Sequence, residues 1–199
     1  MQIALWFAAG LVAGHGASTL AVRLARRPPV RGACEAASAV GAAIVATVAT
    51  DPVSALALAA LTWWCVCLST VDLLERRLPN ILTVPGAATI LTVAAAAGHG
   101  RAALVGAGLL AGPMLLAHLV SPRSLGAGDV KLAVGIGAVA GVAGPSSWLL
   151  VAVAPPLITA VAGLVMRMGR RWSPRAGPLL VPHGPSMCVV TVLALLAAP

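Results

Sequence analysis

Two aspartates in this sequence stand at the ends of long apolar runs, where a carboxylate is unexpected. Asp72 directly follows an apolar run over residues 53–71, and Asp129 directly precedes another over residues 130–143. Two carboxylates that meet share one proton, because like charges a few ångströms apart resist ionising together. One of them can then act as general base on a water molecule and the other as general acid. This is the chemistry of aspartic proteases.

A structural role is the alternative for both aspartates. Each carboxylate would then cap a helix or form an ion pair with a basic neighbour, namely Arg76, Arg77 or Arg123. Gly126 and Gly128 favour the chemical role, because they remove side chains beside Asp129 and allow another chain to approach closely. Asp129 also stands at the start of the helix predicted over 130–143, where the helix dipole favours a carboxylate.

Three residues near the aspartates have both a functional and a structural interpretation. Lys131 either hydrogen bonds to a neighbouring carbonyl and tunes the charge beside Asp129, or it extends to the membrane interface. Pro79 and Asn80 close the connection that follows Asp72. They either fix the direction of that aspartate or only begin the next helix.

The elements that position these residues are predicted to be membrane helices. The chain of 199 residues is 60% hydrophobic and 9% charged, whereas a soluble domain carries about a quarter charged residues. About 20 apolar residues span a bilayer, so the chain has room for about eight spans. We therefore predict an all-α, polytopic integral membrane bundle in which residues 1–199 form a single domain, with the lipid bilayer as its surroundings.

Eight apolar runs support this count, and the basic residues between them predict the topology. The runs cover residues 2–22, 36–50, 53–71, 81–98, 102–120, 130–143, 147–166 and 183–198. Every basic residue except Arg101 lies in, or directly beside, an odd-numbered connection. The positive-inside rule then makes those connections cytoplasmic, with both termini outside and both aspartates at the cytoplasmic boundary. Topology accounts for the net charge of +8, so no nucleic-acid partner is predicted.

Metal or cofactor chemistry is not predicted. The four histidines are scattered and no pair has the spacing of metal ligands. None of the four cysteines forms a C-x-x-C pair, and three lie within apolar stretches, which is typical of small buried side chains.

Three stretches resemble motifs of the type IV prepilin peptidases, the bacterial leader peptidases of pilin-like proteins. GAGDVKL at residues 126–132 is similar to the G-x-G-D-x-K-L signature of that family. VDLLERRLPNILTVP at residues 71–85 resembles its first motif, in which an aspartate precedes basic residues and a Pro-Asn pair. LLVPHGPSM at residues 179–187 is similar to a weaker third element of the form P-x-G-P. The resemblance covers roughly residues 53–198.

The resemblance implies a membrane-embedded aspartic endopeptidase of the bacterial cytoplasmic membrane, without a cofactor, whose active site faces the cytoplasm. By motif position, Asp72 and Asp129 become the catalytic residues. The supporting or substrate-binding residues become Gly126, Gly128, Lys131, Pro79 and Asn80. The implied substrate is a prepilin or prepilin-like precursor, from which a short basic leader is removed.

Two departures from the family pattern limit what the resemblance implies. Long members of the family carry a cytoplasmic insert with paired C-x-x-C motifs and also N-methylate the new terminus. The first connection here covers only residues 23–35 and contains the single Cys34, so we expect a short form without methyltransferase activity. His183 stands where an aromatic residue is more usual, and we do not predict it to be catalytic.

Two other functions stay open as alternatives. The first is another GxGD intramembrane aspartic protease, of the signal-peptide-peptidase type. Those enzymes usually have a Tyr-Asp motif, whereas Val71 precedes Asp72 here. The second is a small proton-coupled transporter, which would place its acids near the bilayer midplane rather than at one edge. The sequence favours no particular precursor and no oligomeric state.

Overall fold

The protein is a bundle of helices that follow the predicted apolar runs. The computed structural model describes residues 1–122, 125–170 and 181–198, without the side chain of Arg170. Within these residues every regular element is helical, and the helices are α1 (Gln2–Leu24), α2 (Ala33–Val48), α3 (Pro52–Glu75), α4 (Asn80–Ala96), α5 (Gly100–Val120), α6 (Ala127–Ala143), α7 (Pro145–Arg170) and α8 (Gly184–Leu196). One helix corresponds to each of the eight apolar runs, which confirms the all-α prediction.

Four of the helices are long and apolar enough to cross a membrane. They are α1, α3, α5 and α7, over Gln2–Leu24, Pro52–Glu75, Gly100–Val120 and Pro145–Gly169. The other four contain 13 to 17 residues, which is fewer than the about 20 residues of a typical span. The lengths and composition confirm a polytopic helical membrane protein. That all eight helices cross the bilayer, and that both termini lie outside, stay predictions.

Helix α3 has clear signals at both ends, and these place Asp72 in its last turn. At the start, Asp51 Oδ1 accepts hydrogen bonds from the N–H groups of Val53 and Ser54, at 2.9 and 3.0 Å. Pro52 takes the first helical position, where its missing N–H costs nothing. At the end, Arg76 adopts a left-handed conformation with φ of 53°, which turns the chain towards α4.

The centre of the bundle is α6, which packs against α4, α5, α7 and α8. Its glycines allow close contact with α5, since a methyl group at Gly137 would lie 2.6 Å from the Gly106 carbonyl oxygen. Small residues at such crossings are typical of membrane helices. Leu132 of α6 shares one buried cluster with Leu68 of α3 and Met187 of α8. This shared core holds together the ends of the helices that carry the two aspartates.

Candidate active site

Asp72 is buried at the end of α3 and is held there by the first residue of α8. Asp72 is only 4% exposed, and its Oδ2 accepts a hydrogen bond of 3.0 Å from the Gly184 N–H. The first N–H groups of a helix have no partner within the helix and favour a negative charge. A methyl group at Gly184 would lie 2.7 Å from Asp72 Oδ2. Glycine is therefore the residue that lets α8 approach this carboxylate.

Asp129 lies in the first turn of α6, before the apolar run of that helix and outside the four long helices. Burial and, to a lesser extent, the nearby charge of Asp72 together raise the pKa of its carboxyl to about 6, against the opposing effect of a hydrogen bond from the Gly126 backbone. A methyl group at Gly126 would lie 3.2 Å from Asp129 Oδ2. The fold therefore brings the two predicted catalytic residues, which lie on different helices, within electrostatic reach of each other.

The geometry bears on one half of the structural alternative, the ion pairs. The other half, capping, stays open, because Asp72 accepts a hydrogen bond from the first N–H of α8 and Asp129 accepts one from the backbone of Gly126 at the start of α6. Among the described residues, the one contact at ion-pair distance joins His15 to Glu35. Neither Asp72 nor Asp129 thus pairs with the described arginines of the α3–α4 connection. Arg123, the third predicted partner, lies outside the described residues, as do Ser124 and residues 171–180.

The supporting residues of the two predicted motifs contact each other. Lys131 Nζ donates a hydrogen bond of 2.7 Å to Asn80 Oδ1, so the lysine binds an amide oxygen from the other motif. Pro79 is the N-cap of α4, and its carbonyl accepts from the N–H groups of the first turn. A methyl group at Gly128 would lie 2.9 Å from Leu78 Cβ. These contacts join the start of α6 to the α3–α4 connection and fix the two aspartates relative to each other.

A groove beside Asp129 was not predicted from the sequence. It has a volume of about 730 Å³ and runs between α5, α7 and α8. The side chains that line it, besides Asp129, include Leu110, Pro113, Trp148, Val151, Thr159 and His183. We name this space the Asp129 groove. Its walls are mostly apolar, so it suits an apolar segment whose polar backbone reaches the carboxylates.

Residues around His183 form a chain of hydrogen bonds along this groove, which the sequence analysis also missed. His183 Nδ1 lies 2.8 Å from Thr159 Oγ1, and that oxygen lies 2.9 Å from Ser186 Oγ. Ser186 Oγ in turn donates to the His183 carbonyl at 2.7 Å. The P-x-G-P element at residues 182–185 was the available signal, since it places His183 directly before the glycine that binds Asp72.

The arrangement can carry out acid–base chemistry on a bound water. The Gly184 N–H donates a hydrogen bond to Asp72 Oδ2, and Asp129 keeps its proton to a higher pH than an exposed aspartate does. A carboxyl that keeps its proton suits the acid role, which leaves the base role to the other member of the pair. The adjoining groove gives room for the group on which that water would act.

Comparison with known protein families agrees with this geometry. Residues 59–166 match the type IV leader peptidase family, and the matched segment contains both Asp72 and Asp129. Comparisons with curated proteins and with solved structures find no match. The matched segment covers more than half of the chain. The chain is therefore a membrane protein that belongs to the type IV leader peptidase family.

Proposed function

We propose that the protein is an aspartic endopeptidase that removes the basic leader from type IV prepilins or prepilin-like precursors. The observation that carries the proposal is the pair of carboxyls, because Asp72 at the end of α3 and Asp129 at the start of α6 lie within electrostatic reach of each other, beside an apolar groove. The match to a leader peptidase family supports the same activity. The other implied reaction, N-methylation of the new terminus, is not part of the proposal.

The proposed reaction uses one water molecule between the two carboxyls. Asp72 accepts a proton from the water as its oxygen attacks the scissile carbonyl carbon. Asp129 donates its proton to the amide nitrogen, and the carbon–nitrogen bond then breaks to release the leader and the new amino terminus. The carboxyls finish with the proton on Asp72, and its return to Asp129 restores the starting state.

The proposed substrate orientation follows from the shape of the site. The apolar segment that follows the cut lies in the Asp129 groove, whose walls are mostly apolar. The scissile bond lies at the helix ends that carry the aspartates, and the positive-inside pattern puts those ends at the cytoplasmic face. Cutting at this face of the bacterial cytoplasmic membrane leaves the precursor anchored by its apolar segment.

A cleavage assay tests the proposal. The protein is purified, reconstituted into vesicles with a pilin precursor encoded nearby, and leader loss is followed by intact mass. We expect the parent protein to cut, and Asp72→Asn and Asp129→Asn each to lower the rate roughly 100- to 10,000-fold. Asp51→Asn is the matched control, because asparagine also caps a helix well and Asp51 is far from the pair in the fold's topology. Full cleavage by either of the first two variants contradicts the two-carboxyl mechanism.

A further inference from the structure

His183 adjoins features of both aspartates. It directly precedes Gly184, whose N–H binds Asp72, and its side chain lines the groove that also contains Asp129. We propose that His183 is a substrate-positioning residue, whose Nε2 accepts a hydrogen bond from a backbone N–H of the polypeptide segment in the Asp129 groove. This inference rests on the proposed peptidase function and names a further residue that would recognise the substrate.

The hydrogen-bond chain determines which nitrogen of His183 carries the proton. Ser186 has one hydroxyl hydrogen, and it is donated to the His183 carbonyl, which can only accept. In the contact between Thr159 and Ser186, Thr159 must therefore be the donor. Its single hydrogen is then used, so His183 Nδ1 must donate to Thr159 Oγ1. The neutral ring consequently carries its proton on Nδ1, and Nε2 has a free lone pair.

Nε2 is a side-chain acceptor of the groove besides the carboxylate of Asp129. Trp148 also lines the groove, but its indole N–H donates to the Gly106 carbonyl, at 3.0 Å. The one hydroxyl hydrogen of Thr159 is used in the chain described above, so this group has no donor left for a ligand. Within the described part of the protein, no hydrogen bond to His183 Nε2 is formed. A ligand with an N–H or O–H donor is therefore the chemistry that this nitrogen can bind.

An extended polypeptide supplies such a donor. A peptide that enters a largely apolar groove loses water from its backbone N–H groups, and each one left without a partner is costly. A histidine fixed at its other nitrogen offers an acceptor at a defined position and loses little rotational freedom on binding. The phenyl ring of an aromatic residue at this position would offer apolar contact without that acceptor. We therefore expect His183 to set where along the groove the substrate backbone lies.

Two substitutions separate this role from a structural one. In His183→Asn, the shorter amide can still donate to Thr159 from near the Nδ1 position, but nothing replaces Nε2. In His183→Gln, the longer amide reaches the Nε2 position and can again accept from the substrate. We expect His183→Asn to raise the KM for the precursor roughly five- to tenfold with kcat within about twofold of the parent, and His183→Gln to recover most of that loss.

The outcomes distinguish this inference from the proposed function. If the parent cuts and His183→Asn has the parent KM, the positioning role is wrong while the peptidase function stands. If both variants lose kcat and unfold at lower temperature, His183 acts through the stability of α8, which also overturns the inference. Binding of a fluorescent precursor peptide to the Asp72→Asn protein, with and without His183→Asn, gives a reading that does not need cleavage. Equal affinities there overturn the inference even if the parent is inactive.

Discussion

Replacing Gly184 by alanine disturbs Asp72 without removing its carboxylate. The new methyl group would lie 2.7 Å from Asp72 Oδ2 and 3.2 Å from Cγ, which is closer than unbonded atoms tolerate. Either the carboxylate turns away or the start of α8 moves. Both movements lengthen the 3.0 Å hydrogen bond from the Gly184 N–H. The variant therefore weakens a hydrogen bond that orients the proposed base.

The size of the effect follows from the strength of this hydrogen bond. A hydrogen bond to a charged group contributes about 1.5–3 kcal/mol, and each ~1.4 kcal/mol changes a rate tenfold. We therefore expect Gly184→Ala to lower kcat/KM roughly 10- to 150-fold. Most of the loss should be in kcat, because Asp72 acts on the water rather than on the binding of the apolar segment.

The assay is precursor cleavage by intact mass in vesicles, with Gly108→Ala as the matched control. A methyl group at Gly108 meets no atom within 4 Å, so this variant should cut within about twofold of the parent, because surface substitutions rarely matter. Thermal unfolding in detergent checks that both variants fold alike. Parent-like kcat in Gly184→Ala would refute the reasoning that α8 holds Asp72 in its active geometry.

Three further predictions concern the same site. The cleavage rate should fall as pH rises above about 6, because Asp129 loses the proton that it donates. Burial and the Asp72 charge raise the pKa of Asp129 to about this value, and a rate that is flat from pH 5 to 8 would contradict this. Lys131→Met and Asn80→Ala should each lower the rate about fivefold. The double variant should lose no more activity than either single variant, because both substitutions break the same hydrogen bond; additive losses would mean that the two residues act separately. Gly128→Ala should lower activity because its methyl group would lie 2.9 Å from Leu78 Cβ, whereas Gly108→Ala, whose methyl group meets no atom within 4 Å, should not. Equal rates for these two variants would show that the close contact with Leu78 does not matter.

The helices could be predicted because they depend on composition and local pattern. Apolar runs of 14 to 21 residues, broken by basic, proline or glycine residues, predicted all eight helices among the described residues. Their lengths were less predictable, because α3 continues past its apolar run to Glu75 and so takes in Asp72. A helix ends where its backbone finds a suitable cap, and the left-handed Arg76 that ends α3 has no strong signal in its residue type.

The proximity of the two aspartates was predicted from their common depth and their motifs. The contact between Gly184 and Asp72 was not, because it joins residues 112 positions apart and depends on how α3 packs against α8. The Asp129 groove also depends on the packing of three helices. The residue pattern along a single segment cannot predict a groove that forms between three helices. The P-x-G-P element was the one local signal in the sequence that the start of α8 makes a close contact, which the structure shows to be with Asp72.

The measurement that tests the central claim most directly is the titration of the aspartate carboxyls themselves. The chain contains three aspartates, Asp51, Asp72 and Asp129, so protein labelled with ¹³C at these carboxyls gives three resonances, each assigned by its Asn variant. We expect Asp129 to titrate with a midpoint near 6. In Asp72→Asn that midpoint should move down, towards the ordinary 3.8, while burial keeps it above that value. A midpoint for Asp129 that is the same with and without the Asp72 carboxylate would contradict a working pair.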